Sequence, residues 1–269
     1  ADITVDTPLT NEILLKFKST GGFNDEIDIT YSGILCFIAA KKLNKDPAEL
    51  IFDMLDNADD SGITYIENFL NKIDVDIADV KSRLDYPSAD KNDLIHATFD
   101  QLFFGPELYS KIFQKKSKFS EKGFIENDNV IVNSELIEAL KKKFNDKIAI
   151  VTGRGFNAIS SSLKEILNQF NVENSVFLED ESRDLAKPNP QSLIRAMKGL
   201  GSKNCLYVGD SMEDIILTQK TSELGFQATF CGIYGTSKLP EMKKNMFAKK
   251  NALLVLESIN SLPKALNLV

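Results

Sequence analysis

The hydrophobic pattern of this chain changes near residues 116–130, and that change limits the possible folds more than any other feature. Before it, from about Thr10 to Phe113, apolar residues recur at helical spacing, as in Ile29–Leu43, and runs typical of strands are few. After it, from Asn133 onward, short apolar runs alternate with amphipathic segments. The pattern therefore predicts an all-helical module followed by an α/β domain whose parallel sheet is covered by helices on both faces.

The α/β half contains predicted strands that are separated by predicted helices. The strands are 147–151, 175–178, 205–208, 228–231 and 252–256, and the helices are 134–144, 156–170, 190–200, 212–224 and 259–266. In the helical half, Asp46 and Pro47 are typical of an N-cap followed by the first turn of a helix. Because ligands of such sheets bind beyond the carboxyl ends of the strands, the polar residues that follow each strand are the candidates for function.

Charge and composition exclude several partners. The net charge of −7, from 39 acidic and 32 basic residues, provides no basic surface for nucleic acid. No apolar stretch approaches the roughly 20 residues that span a bilayer, and residues 1–4 lack the basic start of a signal peptide. We therefore expect a cytoplasmic protein without a membrane partner, and the pattern carries no signal for an oligomeric state.

Histidine and cysteine are too few and too scattered for the commonest zinc sites. The single histidine, His96, excludes a histidine-based zinc site, and any Ser-His-Asp triad would have to converge on it. An ordinary helical role for His96 is the simpler interpretation. The three cysteines each lie in an apolar run, which predicts small buried side chains rather than a disulfide framework: Cys36, Cys205 and Cys231.

The first candidate site follows strand 147–151, where Thr152 and Gly153 stand at the entrance to a helix. A hydroxyl and exposed backbone N–H groups suit a phosphate oxygen, and the dipole of the following helix favours an anion. Arg154, the next residue, is a possible substrate contact. The simpler alternative is a threonine N-cap with a glycine turn.

The second candidate is Lys187, which stands in a loop between strand 175–178 and helix 190–200. Pro188 and Pro190 fix the backbone there, so the lysine is held on a rigid loop. Its ammonium could neutralise a phosphate and a carboxylate nucleophile together. A solvated surface lysine is the alternative.

The third candidate is a pair of carboxylates at the end of strand 205–208. Gly209 permits a tight exit from the strand, and Asp210 and Asp214 flank the turn into the next helix. Two carboxylates at a strand end suit Mg²⁺, which prefers oxygen ligands and keeps some of its waters. Alternatively, Asp210 acts as a helix cap and Asp214 as a first-turn carboxylate that offsets the helix dipole.

Taken in order, the three segments resemble the second, third and fourth motifs of the haloacid dehalogenase superfamily. They are Val151-Thr152-Gly153-Arg154, Lys187-Pro188-Asn189-Pro190 and Gly209-Asp210-Ser211 with Asp214. The resemblance covers residues 130–269, and the helical module before it is similar to the inserted cap of the phosphoglycolate phosphatase-like branch. Residues 18–25 are similar to a cap segment of an archaeal-type subgroup, and within the helical module Asn24, Asp25 and Tyr31 are possible specificity residues.

The resemblance implies a fold and a mechanism. The fold is a doubly wound parallel α/β sheet with an all-helical cap, in which residues 1–8 belong to the core, 9–125 form the cap and 126–269 complete the core. An aspartate would attack phosphorus, a second would act as acid and base, and Mg²⁺ would neutralise charge. Thr152 and Gly153 would hold the phosphoryl oxygens, Lys187 would clamp phosphate and nucleophile, and Asp210 and Asp214 would bind the metal or orient its shell.

The first motif of the superfamily, Asp-Xaa-Asp after an apolar strand, is missing from this sequence. Asp2 and Asp6 are spaced by four rather than two, and neither is assigned as the nucleophile. Ala1 through Thr4 resemble chain that has just left this motif, so we expect a preceding stretch to carry it. The alternatives are that another segment or a separate chain fills the central position of the sheet, or that the protein binds a phosphorylated ligand without hydrolysing it.

The sequence thus predicts a Mg²⁺-dependent phosphatase that acts on a small phosphorylated metabolite and uses an aspartate nucleophile supplied by the missing motif. A phosphomutase of the β-phosphoglucomutase type is an alternative with the same motifs. Dehalogenase chemistry also uses an aspartate nucleophile, but the pairing of Asp210 with Asp214 favours the metal-dependent branch.

Overall fold

The computed structural model of the protein describes residues 9–23, 25–88 and 91–268. Contacts divide the chain into two compact units, Ala1–Asp100 and Gln101–Val269. The sequence pattern put the boundary near residue 125, whereas residues 101–125 belong to the second unit because they share a buried cluster with one of its helices. That cluster contains Phe104, Tyr109, Ile125 and Ala158. The predicted assignment of residues 1–8 to the core lies outside the described residues.

The first unit is all-helical over the residues that are described, as the sequence predicts. Its helices are α1 (Asn11–Thr20), α2 (Glu26–Leu43), α3 (Pro47–Leu55), α4 (Ile63–Lys72), α5 (Ala78–Leu84) and the start of α6 (Leu94–Phe113). The predicted cap of α3 is present, because the Asp46 side chain accepts a hydrogen bond from the Glu49 N–H at 3.0 Å. One apolar core holds these helices together; among its fully buried members are Phe17, Tyr31, Leu35, Ile51, Met54 and Leu70. In the described part of the chain, no helix is long and apolar enough to cross a membrane.

Helix α6 is interrupted at Gly105. Gly105 has φ 70° and ψ 171°, and Pro106 follows it without an N–H to donate. The backbone of Gly105 lies against that of Gly123, so close that a Cβ on Gly105 would stand 2.4 Å from the Gly123 nitrogen. Glycine is therefore required here for two reasons, the left-handed φ and the close approach of the two segments.

The second unit contains parallel strands alternating with helices. The strands are β1 (Val151–Thr152), β2 (Val176–Phe177), β3 (Asn204–Gly209), β4 (Gln227–Ile233) and β5 (Leu254–Leu256). The helices are α7 (Ser134–Phe144), α8 (Phe156–Leu163), α9 (Gln191–Gly199), α10 (Met212–Glu223), α11 (Pro240–Lys249) and α12 (Leu262–Ala265). β1 pairs with β2, and β4 lies between β3 and β5. This α/β arrangement confirms the predicted fold class.

Helices cover both faces of the β3–β4–β5 sheet, because successive side chains of a strand point to opposite faces. On one face, Tyr207 and Phe230 pack with residues of α9, α10 and α11, including Leu193, Leu217 and Phe247. On the other face, Cys231 and Ile233 pack with residues of α7 and α12, including Leu136 and Leu262. The sheet is therefore doubly wound.

The first strand of this unit is shorter than the predicted 147–151. The Ile150 N–H donates to the Ser175 hydroxyl at 3.0 Å, so a side chain takes the place of a backbone acceptor just before the ladder begins. Helix α8 is also shorter than predicted, because Lys164 adopts φ 50° and ψ −127° and the chain continues as a 3₁₀ helix over Lys164–Gln169.

Among the described residues, β1 and β3 are not joined by backbone hydrogen bonds. The Val176 N–H of β2 donates to the Ile150 carbonyl at 2.7 Å, so the next carbonyl, that of Val151, points away from β2. That carbonyl accepts a hydrogen bond from the Tyr207 hydroxyl of β3 at 3.1 Å. A side chain thus bridges the two parts of the sheet where adjacent strands would form a ladder.

Candidate active site

Thr152 and Gly153 stand at the end of β1, Asp210 and Asp214 follow β3, and Lys187 lies in the loop before α9. Lys187 and Asp214 are in direct contact, and Tyr207 links Asp214 to the carbonyl of Val151, the residue before Thr152. The structure therefore connects all three predicted segments through one buried network.

The centre of the network is an ion pair between Lys187 and Asp214. Lys187 Nζ lies 2.8 Å from Asp214 Oδ1, and the two side chains are only 8% and 3% exposed. The Tyr207 hydroxyl lies 3.0 Å from Oδ1 and shares its single proton between Oδ1 and the Val151 carbonyl. Oδ2 accepts the N–H groups of Asp210 at 3.0 Å and Ser211 at 3.1 Å. Every oxygen of this carboxylate is engaged within the protein.

Local sequence explains why Asp214 can reach this position. Ser211 caps α10 by accepting the Asp214 N–H at 3.2 Å, and Asp214 in turn accepts the Ser211 N–H, which together form a capping box. The preceding Gly209 lies under the carboxylate, and a Cβ there would stand 2.4 Å from Asp214 Oδ2. The glycine of this segment thus serves the close approach of the carboxylate.

Burial and the opposite charge act against each other in this pair, and the charge prevails. Burial alone would lower the pKa of Lys187, but Asp214 outweighs it and holds that pKa above its usual range. Burial would raise the pKa of Asp214, but Lys187 holds it below its usual range. Burial, reinforced by the Asp214 charge, raises the pKa of the Tyr207 phenol. At neutral pH the lysine is cationic, the carboxylate anionic and the phenol protonated.

Asp210, by contrast, points outward from the end of β3. Its side chain is 58% exposed, and Oδ2 lies 2.8 Å from Nζ of Lys243, whose side chain is 11% exposed. Oδ1 of Asp210 has no hydrogen-bond partner within the described ranges. Asp210 thus keeps one oxygen available for a ligand from outside the chain.

The donor set fits Mg²⁺ through Asp210 only. Mg²⁺ is commonly bound through one or two carboxylates together with waters and substrate phosphate. Asp210 can supply one such carboxylate, whereas both oxygens of Asp214 are occupied by Lys187, Tyr207 and backbone N–H groups. Within residues 9–23, 25–88 and 91–268, no group of three or more metal-binding side chains is assembled. In the described structure, both oxygens of Asp214 are thus engaged with Lys187, Tyr207 and the backbone of the Asp210 turn.

Thr152 is oriented to donate a hydrogen bond. Its Oγ1 accepts the Arg154 N–H at 3.2 Å, and a hydroxyl that accepts in this way still has its own proton to donate. The next residue, Gly153, is exposed, and no atom lies within 4 Å of the position that a Cβ would take. The Gly153 backbone therefore borders open space next to the half-buried Thr152.

The N-terminus of α8 is less open to an anion than the sequence predicts. The Gly155 N–H donates to Glu179 at 2.8 Å, and the Phe156 N–H donates to Asp180 at 2.6 Å. Two carboxylates thus occupy the first N–H groups of the helix and offset its dipole. The donors left for a phosphate in this loop lie earlier, at Thr152 and Gly153.

Arg154 is held by the protein. Its guanidinium forms a bidentate ion pair with Asp128, with Nη2 3.2 Å from Oδ1, and lies 5.3 Å from the centroid of the Phe103 ring. The Ser162 hydroxyl donates to the same carboxylate at 2.6 Å. Burial would raise the pKa of Asp128, but Arg154 and Ser162 hold it below its usual range. The predicted substrate contact thus joins the Thr152 loop to residues 103 and 128.

The candidates in the helical unit have structural partners or lie outside the described residues. Asn24 lies outside them. Asp25 caps α2 by accepting the Ile27 N–H at 2.8 Å, and Tyr31 is buried with its hydroxyl donating to Glu67 at 2.6 Å. The contacts of both residues are thus within the helical unit: Asp25 caps a helix, and Tyr31 is hydrogen-bonded to Glu67.

His96 has the ordinary role that the sequence favours. Its Nδ1 lies 2.6 Å from Oδ2 of Asp93, and the Ser88 hydroxyl donates to that same oxygen at 2.7 Å. The carboxylate therefore lies between serine and histidine, whereas a catalytic triad places histidine between serine and acid.

Two residues of the site were missed by the sequence analysis. Tyr207 could have been noticed as the one side chain with a polar tip in the apolar run Leu206–Val208. Lys243 gave no signal, because it belongs to a helix 33 positions along the chain from Asp210 and nothing in the local pattern distinguishes it from its neighbour Lys244.

Comparison with known proteins points to the same part of the chain as the contacts described above. Residues 121–217 match the family model described as haloacid dehalogenase-like hydrolase, a span that includes Thr152, Lys187, Asp210 and Asp214. An X-ray structure determined by the Northeast Structural Genomics Consortium is similar over 99% of this chain and 88% of its own, with a TM-score of 0.55 and 19% sequence identity. That likeness concerns the fold alone. None of the curated proteins matches the sequence significantly.

Proposed function

We propose that the protein is a Mg²⁺-dependent phosphatase, because residues 121–217 match the haloacid dehalogenase-like hydrolase family model. Its substrate would be a small phosphorylated metabolite similar to phosphoglycolate or a sugar phosphate. The observation that carries the proposal is the buried contact between Lys187 and Asp214 at the strand ends, linked through Tyr207 to the Thr152 loop.

The phosphoryl group would be bound by donors from two loops. The Thr152 hydroxyl keeps a proton to donate, and the Gly153 backbone beside it is exposed. Lys187 adds a fixed positive charge, which Asp214 keeps protonated and in place. Donors that are already oriented stabilise the charge of a transferring phosphoryl group without having to reorganise.

Asp210 would hold the metal through its outward carboxylate. Neutralisation of charge on the phosphoryl group is the chemistry that bound Mg²⁺ supplies. Asp214 supports this position indirectly, because it accepts the Asp210 backbone N–H at 3.0 Å and thereby orients the residue. The predicted pair of metal ligands is thus proposed as one ligand, Asp210, and one residue that positions it.

The nucleophile would come from an extended segment between β1 and β3. Asp214 is the only carboxylate that contacts Lys187 in the described part of the chain, and its oxygens are all engaged. Among the described residues no strand pairing joins β1 to β3, and the Tyr207 hydroxyl reaches the Val151 carbonyl across them. A strand parallel to its neighbours in this position would end beside Thr152 and Asp210. Its source would be one of those weighed from the sequence: a preceding stretch, another segment or a separate chain.

A second candidate is a protein that binds a phosphorylated ligand without hydrolysing it. It is favoured by the full engagement of Asp214, which leaves no described carboxylate beside Lys187 free to attack phosphorus. In that case the Thr152 loop and Lys187 would still hold a phosphate, and ligand affinity rather than turnover would be the functional quantity.

One experiment separates these functions. The purified protein would be incubated with an aryl phosphate, phosphoglycolate and hexose phosphates, with Mg²⁺ or with a chelator, while inorganic phosphate and isomerised sugar phosphate are measured. The phosphatase proposal predicts release of inorganic phosphate that requires Mg²⁺. Isomerised sugar phosphate would instead identify a phosphomutase, and phosphate binding without either product would identify the binding protein.

A further inference from the structure

The Lys243 ammonium lies where a cation bound to Asp210 would have to compete with it. Nζ stands 2.8 Å from Asp210 Oδ2, and the lysine side chain is largely withdrawn from water although the aspartate is exposed. An ammonium has three protons to donate, yet Asp210 is its one acceptor within the described ranges. The ammonium is thus largely removed from water and has a single carboxylate as its partner among the described residues.

The fold directs Lys243 to this position. Phe247, one helical turn further along α11, is fully buried and packs against Phe230 of β4 at 5.5 Å between ring centroids. Residues four apart lie on the same face of a helix, so the face that Phe247 turns to the sheet also carries Lys243. The Lys243 N–H donates to the Leu239 carbonyl at 3.1 Å, which fixes its backbone in the first turn. The contact with Asp210 follows from how α11 is anchored.

We infer that Lys243 is a built-in counter-cation of Asp210 that competes with Mg²⁺ and so sets the metal affinity of the site. The inference rests on the proposed function, because it takes Asp210 as the metal ligand. A divalent ion on the same carboxylate must either displace the ammonium or bind beside it against its repulsion. Metal binding is therefore weaker than Asp210 alone would give, and the site holds Mg²⁺ firmly only when substrate phosphate adds its own negative charge.

The test is a titration of the full chain with Mg²⁺ alone, in which isothermal titration calorimetry measures the dissociation constant. Lys243→Met keeps the length of the side chain and removes its charge, so its dissociation constant for Mg²⁺ should fall by about threefold to tenfold. Lys243→Arg keeps the charge and should stay within about twofold of the wild type. The difference between Lys243→Met and wild type should shrink as ionic strength rises, since salt screens exposed charges.

Lys244→Met is the matched control. Lys244 is the exposed neighbour on the same helix, and its ammonium lies 5.3 Å from the centroid of the Tyr234 ring. Removing that charge should change the Mg²⁺ dissociation constant by less than about twofold, because water and salt screen it. If Lys243→Met does not fold, Lys243→Gln removes the same charge and carries the same expectation.

The outcomes distinguish this inference from the proposed function. A wild type that binds Mg²⁺ and a Lys243→Met variant that binds it equally or more weakly would overturn the inference alone. If neither binds Mg²⁺, or if Asp210→Asn binds it as the wild type does, the metal assignment fails and the inference fails with it. Two results together would support both the inference and the metal assignment: Lys243→Met binds Mg²⁺ more tightly than the wild type, and the double variant Lys243→Met/Asp210→Asn loses that binding.

Discussion

Two lysine–aspartate pairs stand at the end of β3, and their nitrogen–oxygen distances are both 2.8 Å. Lys187 and Asp214 are buried, and the carboxylate has further donors on every side. Lys243 and Asp210 meet at the surface, where the carboxylate is exposed and keeps one oxygen unengaged. Equal distances therefore accompany unequal surroundings: the buried pair is closed off from water, whereas the carboxylate of the other pair is exposed.

The difference follows from where each aspartate lies relative to α10. Asp214 is in the first turn of the helix and faces Tyr207 in the interior, whereas Asp210 precedes the helix and faces outward. Removing one partner of a buried ion pair leaves an uncompensated charge away from water, while an exposed pair contributes little.

The largest expected effect is on the stability of the buried pair. Asp214→Asn leaves Lys187 without its counter-charge, and Lys187→Met leaves Asp214 alone, so each should lower the free energy of unfolding by about 3–5 kcal/mol. Chemical denaturation, monitored through the unfolding transition of the α/β unit, measures this free energy. Asp210→Asn is the control, and it should cost less than Asp214→Asn, because the Asp210 side chain is exposed and an asparagine oxygen can still accept from Lys243. Losses of similar size at Asp210 and Asp214 would contradict the contrast.

The buried pair should also make stability depend on pH in the acid range. Burial would raise the pKa of Asp214, but Lys187 lowers it below its usual range, so the folded state binds the proton less tightly than the unfolded state. The contribution of this carboxylate is complete above the ordinary pKa of about 3.9 and is lost as the pH falls through the lower value in the folded state.

Melting temperatures of wild type and Asp214→Asn between about pH 7 and about pH 2 check that dependence. The wild type should lose more of its Tm on acidification, so the two curves should converge. A constant difference between them at every pH would show that Asp214 is not titrating as the contacts require.

The smallest expected effect is at Arg154, whose ion pair is partly exposed. If Arg154 acts by holding the Thr152 loop to Asp128, Arg154→Met and Asp128→Asn break the same interaction and should raise the KM for an aryl phosphate by similar factors, about fivefold or less. The double variant should add little to either single change, because both residues belong to one interaction. A much larger effect of Arg154→Met than of Asp128→Asn would instead identify a direct substrate contact.

The sequence predicted the features that depend on local pattern. Helical spacing, the Asp46–Pro47 start of α3 and the alternation of strands and helices after Asn133 are all present. The positions of Lys187, Asp210 and Asp214 at strand ends followed from the same alternation. These features were accessible because periodicity and capping act within a few residues.

Contacts between distant parts of the chain were not predictable in this way. The boundary between units lies at residue 100, and the close approach of Gly105 to Gly123 lies within the second unit. Nothing in the local sequence around either glycine indicates that contact. Lys243 reaches Asp210 only because α11 is anchored through Phe247. The distinct roles of Asp210 and Asp214 likewise depend on burial, which differs between two carboxylates only four positions apart.

The central claim is that Asp210 serves a Mg²⁺-dependent hydrolysis while Asp214 serves the structure around it. The most direct measurement is phosphate release from an aryl phosphate as a function of Mg²⁺ concentration, for wild type and Asp210→Asn, with the folding of both checked by circular dichroism. The account predicts turnover in the wild type that requires Mg²⁺, and a folded Asp210→Asn variant whose turnover falls by at least about 100-fold at every Mg²⁺ concentration. Equal turnover in the two proteins, or turnover that persists in a chelator, would contradict it.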